Sequence, residues 1–215
     1  MIVKAHELTK KYQHIYALRN VSLEIGEGLT LIIGPNGSGK STLLKIISGF
    51  VKPSEGFIRV FNEDPWRKRE KIITKIGVSF DPPRMPWWYT GKEFIEILAN
   101  MRGGSVRKVL GIEKFWERRI YTYSAGMLRR LSIASALAGE PKLVILDEPF
   151  SGIDLKSYEE ITSLVKDLKE VGFNMIISSH IFRPLKSLYD SIYALDAGQL
   201  IDVDEYIHKT QLYEE

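Results

Sequence analysis

At 215 residues, the chain is long enough to bury one sizeable core and too short for a string of modules at roughly 150 residues per domain. Its 44% hydrophobic and 27% charged residues, with 17 glycines and 9 prolines, match a folded domain and exclude disordered, collagen-like and low-complexity chains. A net charge of +3 lacks the one-sided basicity of a nucleic-acid binder, so no nucleic acid is expected as a partner, and the absence of cysteine removes disulfides, Cys-ligated metals and thiol nucleophiles.

No apolar stretch approaches the roughly 18 residues that a membrane span needs. At the start of the chain, Lys4, His6 and Glu7 interrupt any apolar core of the kind an export signal requires, which makes the cytoplasm the expected location. Short β-branched segments predict strands at 20–25, 29–33, 57–61, 75–80, 143–146, 174–178 and 191–195, alternating with helical patterns as in an α/β sheet. From about 90 to 139 the strand signal vanishes, and helical patterns at 92–101, 106–110 and 125–138 take its place. Leu143-Val144-Ile145-Leu146 is continuously apolar, as a strand buried on both faces of a parallel sheet should be. Behind it, Tyr158, Ile161, Val165, Leu168 and Val171 recur at three- and four-residue spacing ahead of Gly172, predicting a crossover helix over 155–171. Segments 191–195 and 199–203 flank Asp196-Ala197-Gly198, a hairpin pattern that supplies an antiparallel edge.

The chemistry concentrates at a few places. Gly34-Pro35-Asn36-Gly37-Ser38-Gly39-Lys40-Ser41-Thr42 fits the phosphate-binding loop pattern GxxxxGK[ST], follows the predicted strand 29–33 and opens a helix through Leu43, Leu44, Ile46 and Ile47. The glycines let backbone N–H groups turn inward round a phosphate, and the helix N-terminus adds positive potential. Lys40 can then reach the β- and γ-phosphates and Ser41 Oγ can ligate Mg²⁺. Such a loop needs a carboxylate at the end of a neighbouring buried strand, which Asp147 supplies as the second metal ligand. Glu148 follows, placed to accept a proton from water attacking the γ-phosphate; a plain turn before Pro149 is the alternative. The fold class expected is α/β: a P-loop NTPase domain over residues 1–215 with a mostly parallel central sheet, an antiparallel β edge and an inserted helical subdomain. Its core occupies about 1–89 and 140–215 and the insert about 90–139.

With these motifs in order from about residue 3 to residue 203, the chain resembles the nucleotide-binding subunit of an ATP-binding cassette (ABC) transporter. That family carries a signature resembling LSGGQ in its helical insert. Here Tyr123-Ser124-Ala125-Gly126-Met127 stands in its place, with Ser124 and Gly126 matching and the other three departing. Read alone, Ser124 caps a helix whose apolar face is Met127, Leu128, Leu131, Ala134 and Leu137. The resemblance implies more: the signature binds the γ-phosphate of ATP held by a second subunit, so that the competent form is a head-to-tail dimer burying two ATPs. Asp154, in Ser151-Gly152-Ile153-Asp154, resembles the family's cross-dimer D-loop, or it caps the following helix. His180, after the apolar run Met175-Ile176-Ile177-Ser178-Ser179, resembles the switch histidine that touches the γ-phosphate, and Tyr12 the aromatic on which adenine stacks. The loop residues Asn36, Gly37, Ser38, Gly39 and Thr42 complete the implied nucleotide contacts.

One departure stands out. Where the family has a Gln linking Mg²⁺ to the transport partner, this chain has Asp81, and its only glutamines are Gln13, Gln199 and Gln211. Aspartate can ligate Mg²⁺ but adds negative charge near a triphosphate and donates no hydrogen bond, which predicts weakened or altered coupling. Beyond it, Pro82-Pro83-Arg84-Met85-Pro86-Trp87-Trp88-Tyr89 offers aromatic area for an interface with a membrane subunit, or for packing of the insert; Arg67-Lys68-Arg69 reads as a solvated face, with lipid contact as the alternative.

The expected function is therefore that of an ATPase subunit, peripheral on the cytoplasmic face of the membrane. It would bind ATP and Mg²⁺, pair with a second ATPase subunit in a homo- or heterodimer, and energise a separate membrane-spanning permease. The alternatives are a soluble ABC ATPase of a cytoplasmic assembly machine of the iron–sulfur type, and a regulatory nucleotide-binding module with weak hydrolysis. Little sequence follows the closing hairpin, so no added regulatory domain is expected.

Overall fold

The computed structural model describes residues 1–180 and 188–211. The chain divides into two compact units, Met1–Ile72 with Ser178–Glu215, and Ile73–Ile177.

In the first unit, β1 (Val3–Tyr12), β2 (Ile15–Ile25) and β4 (Glu55–Val60) form an antiparallel sheet in the order β2-β1-β4. On β2 the buried Val21, Leu23 and Ile25 alternate with exposed Ser22 and Glu24, the period-two pattern of a sheet with one covered face. No such pattern announced β1, and its register explains why. The pairing with β2 shifts between Ala5 and Leu8, where Glu7 adopts φ 48, so the alternation breaks inside the strand. The strand β3 (Leu29–Ile33), buried throughout, pairs in parallel with β8 (Ser191–Asp196), which pairs antiparallel with β9 (Gln199–Ile201). Asp196 faces Gln199 across Ala197 (φ 44) and Gly198 (φ 80); two successive positive φ values define the two-residue hairpin turn expected there. The strand ends at Ile201 rather than 203, because Asp202 Oδ1 accepts from Glu205 N at 2.9 Å and starts α6 (Val203–Gln211), a helix the sequence reading did not foresee. Helix α1 (Lys40–Ile47) buries Leu43, Leu44, Ile46 and Ile47.

In the second unit, β5 (Ile76–Ser79) pairs in parallel with β6 (Leu143–Asp147), and β7 (Met175–Ser179) extends the order to β5-β6-β7. Every residue of β6 is buried, as its unbroken apolar run requires. The crossover helix α5 (Leu155–Glu170) buries Ser157, Ile161, Val165 and Leu168 and stops before Gly172, whose φ of 82 is the left-handed exit that glycine favours. A separate cluster around Ile95, Ala99, Ile112, Ile120, Tyr123, Leu131, Ala134 and Ala138 holds α3 (Gly91–Arg102) and α4 (Ala125–Leu137) together. The guanidinium of Arg102 donates to Ser135 O (3.1 Å) and Ala138 O (2.7 Å), satisfying carbonyls at the α4 C-terminus.

The helix expected over 106–110 is absent. Gly103 (φ 74) ends α3, consecutive left-handed residues Leu110 (φ 56) and Gly111 (φ 63) forbid a continuous helix, and Val106 and Val109 reach the cluster from irregular chain. Two 3-10 turns, Ile112–Lys114 and Ile120–Thr122, follow.

Thr90 caps α3 reciprocally: its Oγ1 accepts from Glu93 N at 3.1 Å while Glu93 Oε2 accepts from Thr90 N at 2.7 Å. Thr90→Ala removes the first of these bonds and is expected to cost about 1 kcal/mol, a Tm loss of about 2–4 °C by calorimetry. Among the described residues, no helix is long and apolar enough to cross a membrane.

Candidate functional site

The phosphate-loop residues lie in the first unit, between β3 and α1. Gly39 takes φ 105, and a Cβ there would stand 2.3 Å from the Ala17 carbonyl oxygen, so both backbone angle and space demand glycine. Lys40 is 95% covered although charged. Its Nζ donates to Gly34 O (2.7 Å) and Pro35 O (3.1 Å), which places the ammonium inside the turn of the loop. Ser38 Oγ is buried with no hydrogen-bond partner among the described residues, a costly state for a hydroxyl unless a ligand oxygen meets it. Asn36 and Gly37 are exposed, and Ser41 and Thr42 are half-buried on the first turn of α1. That turn carries no acidic residue, so nothing within it offsets the positive end of the helix. This is a cradle for a polyanion.

Elsewhere in this unit, Tyr12 ends β1 as a 44% exposed residue, with Lys10 Nζ 4.8 Å from its ring centroid. His180 is exposed directly after β7.

In the second unit, Asp147 is the last residue of β6 and wholly buried, and Glu148 is 7% exposed. Glu148 has φ 48, a left-handed conformation that costs a residue with a Cβ about 1 kcal/mol or more and clusters at functional sites. Its carbonyl oxygen accepts from Ser151 N at 3.1 Å and from Arg129 Nη1 at 3.3 Å. Asp154 caps α5, its Oδ1 accepting from Ser157 N at 2.7 Å, and that backbone hydrogen bond, helped by the Ser157 hydroxyl, holds its carboxyl below the usual range.

Ser124 caps α4, accepting from Met127 N at 3.3 Å, and Ser124, Ala125 and Gly126 are all exposed. Asp81 lies just after β5 with its carboxylate on the Arg129 guanidinium at 2.5 Å. Sequence reasoning did not single out Arg129; the one available signal was the pair Arg129-Arg130 between the apolar positions Leu128 and Leu131.

The aromatic loop divides in two. Met85 and Tyr89 pack on the helical cluster, whereas Trp87 and Trp88 are 63% and 54% exposed and stand edge to face at 5.5 Å. Backbone bonds from Tyr121 N to Trp87 O (3.2 Å) and from Ile120 N to Tyr89 O (2.9 Å) fix the loop while leaving both indoles in solvent. Arg67 is solvated beside Asp64.

Among the described residues no three His, Cys, Asp or Glu side chains cluster as a metal cage. Taken separately, the first unit offers a hydroxyl, Ser41, and the second a buried carboxylate, Asp147, both of the oxygen-donor type that suits a divalent cation.

Fold and loop together define an α/β nucleotide-binding protein. The sequence profile of the ABC transporter family matches residues 18–151. The lantibiotic transport ATP-binding protein SrtF of Streptococcus pyogenes is 33% identical over 212 residues, 95% of this chain and 91% of the relative. The bacitracin transport ATP-binding protein BcrA of Enterococcus faecalis is 31% identical, over 94% of this chain and 68% of its own length. Among solved structures, the dimeric post-hydrolysis state of the cassette MJ0796 bound to ADP and Pi is similar at TM-score 0.82 and 29% identity, covering 94% of this chain and 97% of that one. An ATP-binding subunit of an ABC transporter shares the fold at TM-score 0.84 and 23% identity, with 99% and 94% covered. The chain belongs to the ABC transporter family, in which it is an ATP-binding, ATP-hydrolysing subunit. Its fold is the α/β fold of ABC ATPases, with a mostly parallel mixed sheet and an antiparallel β subdomain.

Proposed function

We propose that the chain binds MgATP on the loop 34–42, closes on a second cassette round two nucleotides, and hydrolyses them to drive a membrane-spanning permease from the cytoplasmic face of the membrane. The observation that carries this reading is the loop itself: a buried Lys40 ammonium inside its turn beside the orphaned Ser38 hydroxyl. The loop amides of Asn36 to Thr42 and Lys40 hold the β- and γ-phosphates, Tyr12 stacks on the adenine, and His180 contacts the γ-phosphate. Ser41 and Asp147 are the residues that would hold Mg²⁺, which when bound neutralises phosphate charge. Glu148 orients a water and takes its proton as the water oxygen bonds to the γ-phosphorus; the bond to the bridging oxygen breaks and ADP leaves with the electron pair.

Ser124 and Gly126 serve the ATP of the opposite cassette, and Asp154 adds cross-dimer contacts to its capping role. A Cβ on Gly126 would meet nothing within 4 Å, so the fold of this chain does not require glycine there, and the bare helix start suits close approach by a partner's phosphate. Gly126→Ala is accordingly expected to raise stability by up to about 1 kcal/mol while lowering ATP turnover; unfolding curves and a phosphate-release assay on the same sample read both.

The span 90–139 acts as the helical subdomain within a single cassette, and Trp87 and Trp88 face the permease. The names of SrtF and BcrA favour a peptide antibiotic as the transported molecule. The test of the reading is Mg²⁺-dependent ATP binding by the purified chain. Lys40→Ala, which also removes the Nζ bonds to Gly34 O and Pro35 O, is expected to weaken it at least tenfold in a chain that still folds, and equal affinity in the variant would overturn the assignment of the loop.

A further inference from the structure

Arg129 has no place in the chemistry described above, yet it is 92% covered and its guanidinium reaches three groups on two other segments. Nη2 donates to Asp81 Oδ1 (2.5 Å) and to Ser151 O (3.4 Å), and Nη1 donates to Glu148 O (3.3 Å). Asp81 follows β5, Arg129 lies on α4 beyond Ser124, and Glu148 to Ser151 is the turn that leaves β6. We infer that Arg129 is a positioning residue for hydrolysis, and that Asp81 is the anion that neutralises its guanidinium.

The turn after β6 begins with Glu148 in a left-handed conformation, which persists only where surrounding contacts hold it. A planar, forked cation donating to the carbonyls at both ends of the turn, 148 and 151, fixes the peptide planes that aim the Glu148 carboxylate. A buried guanidinium in turn needs an anion, since removing one partner of a buried pair leaves an uncompensated charge. Glutamine at position 81 would be neutral. Asp81 and the arginine on α4 are thus one feature: a brace joining the loop after β5, the helix that begins at Ser124 and the turn holding the proposed base.

The inference rests on Glu148 acting as the base, and the experiment separates the two. ATP turnover of the purified chain is measured with Arg129→Met, Arg129→Lys, Asp81→Gln and the double variant Arg129→Met with Asp81→Gln. Absence of turnover in the wild type would overturn the proposed function, and this inference with it. With turnover present, Arg129→Met is expected to lower kcat at least tenfold with KM for ATP within twofold, the pattern of a misaimed base and not of lost binding. Arg129→Lys keeps charge without the fork and recovers only part of the rate. Asp81→Gln lowers kcat severalfold, and the double variant falls no further than Arg129→Met because the two residues act as one unit. If Arg129→Met fails to fold, Asp81→Gln decides by the same split of kcat from KM. A kcat within twofold of wild type in the folded variants, additive losses, or a rise in KM matching any loss of rate would each overturn the inference.

Discussion

Glu148→Gln binds ATP with near-normal affinity and turns it over about 10²- to 10⁴-fold more slowly than the parent chain, the range expected when a positioned proton acceptor is removed. The substitution is close to isosteric, and both residue types carry the same Cβ penalty at the left-handed backbone position (φ 48), so the turn held by Ser151 N and Arg129 is preserved. What changes is basicity, because a Gln amide cannot take the proton of the attacking water. With hydrolysis blocked and binding intact, the ATP-bound dimer should also accumulate, approaching twice the 24.6 kDa chain mass in light scattering. Turnover within threefold of the parent would remove Glu148 from the role of base.

The largest structural effect is expected at Gly77. This residue lies in β5, opposite Val144 of β6, and a Cβ built on it would stand 1.6 Å from the Ala136 carbonyl oxygen and 2.7 Å from the carbonyl carbon. Both obstacles are backbone of α4, so no side-chain rotation can relieve them. The helix is also tied to the strand by the buried Ser79 and Ser132 hydroxyls, 2.7 Å apart. Overpacking a core costs about 1–3 kcal/mol where side chains can move. Here helix and strand must separate, and Gly77→Ala is expected to exceed that range, a large share of the 5–15 kcal/mol that holds a domain folded. Insoluble expression, or a Tm lowered by more than about 6 °C, is the expected result; a Tm within 2 °C of the parent would show that the contact relaxes freely.

The parts of the molecule legible in the sequence are those whose cause is local. Strand β3 was delimited at both ends by its apolar residues, β6 by an apolar run closed by Asp147, and the hairpin by Ala197-Gly198. The phosphate loop was legible because glycine is needed where left-handed backbone and close approach coincide, as at Gly39. Strand β1 escaped because the shift at Glu7 breaks its alternation, and 106–110 was misread because Val106 and Val109 carry helical spacing into a cluster that accepts them from irregular chain. Of the site, Asp81 was recognised as unusual, but its partner was not: 48 residues separate it from Arg129, and only the packing of α4 against β5 brings a loop and a helix face together.

The most direct test of the central claim is co-purification of the tagged chain from detergent-solubilised membranes of its own organism, with partners identified by mass spectrometry. A polytopic membrane protein recovered in constant proportion to the chain, and released when Trp87 and Trp88 are both replaced by Ala, is the result expected of a transporter's ATPase subunit. Recovery of soluble partners alone, reproducibly, would contradict it and assign the same ATP chemistry to a soluble machine.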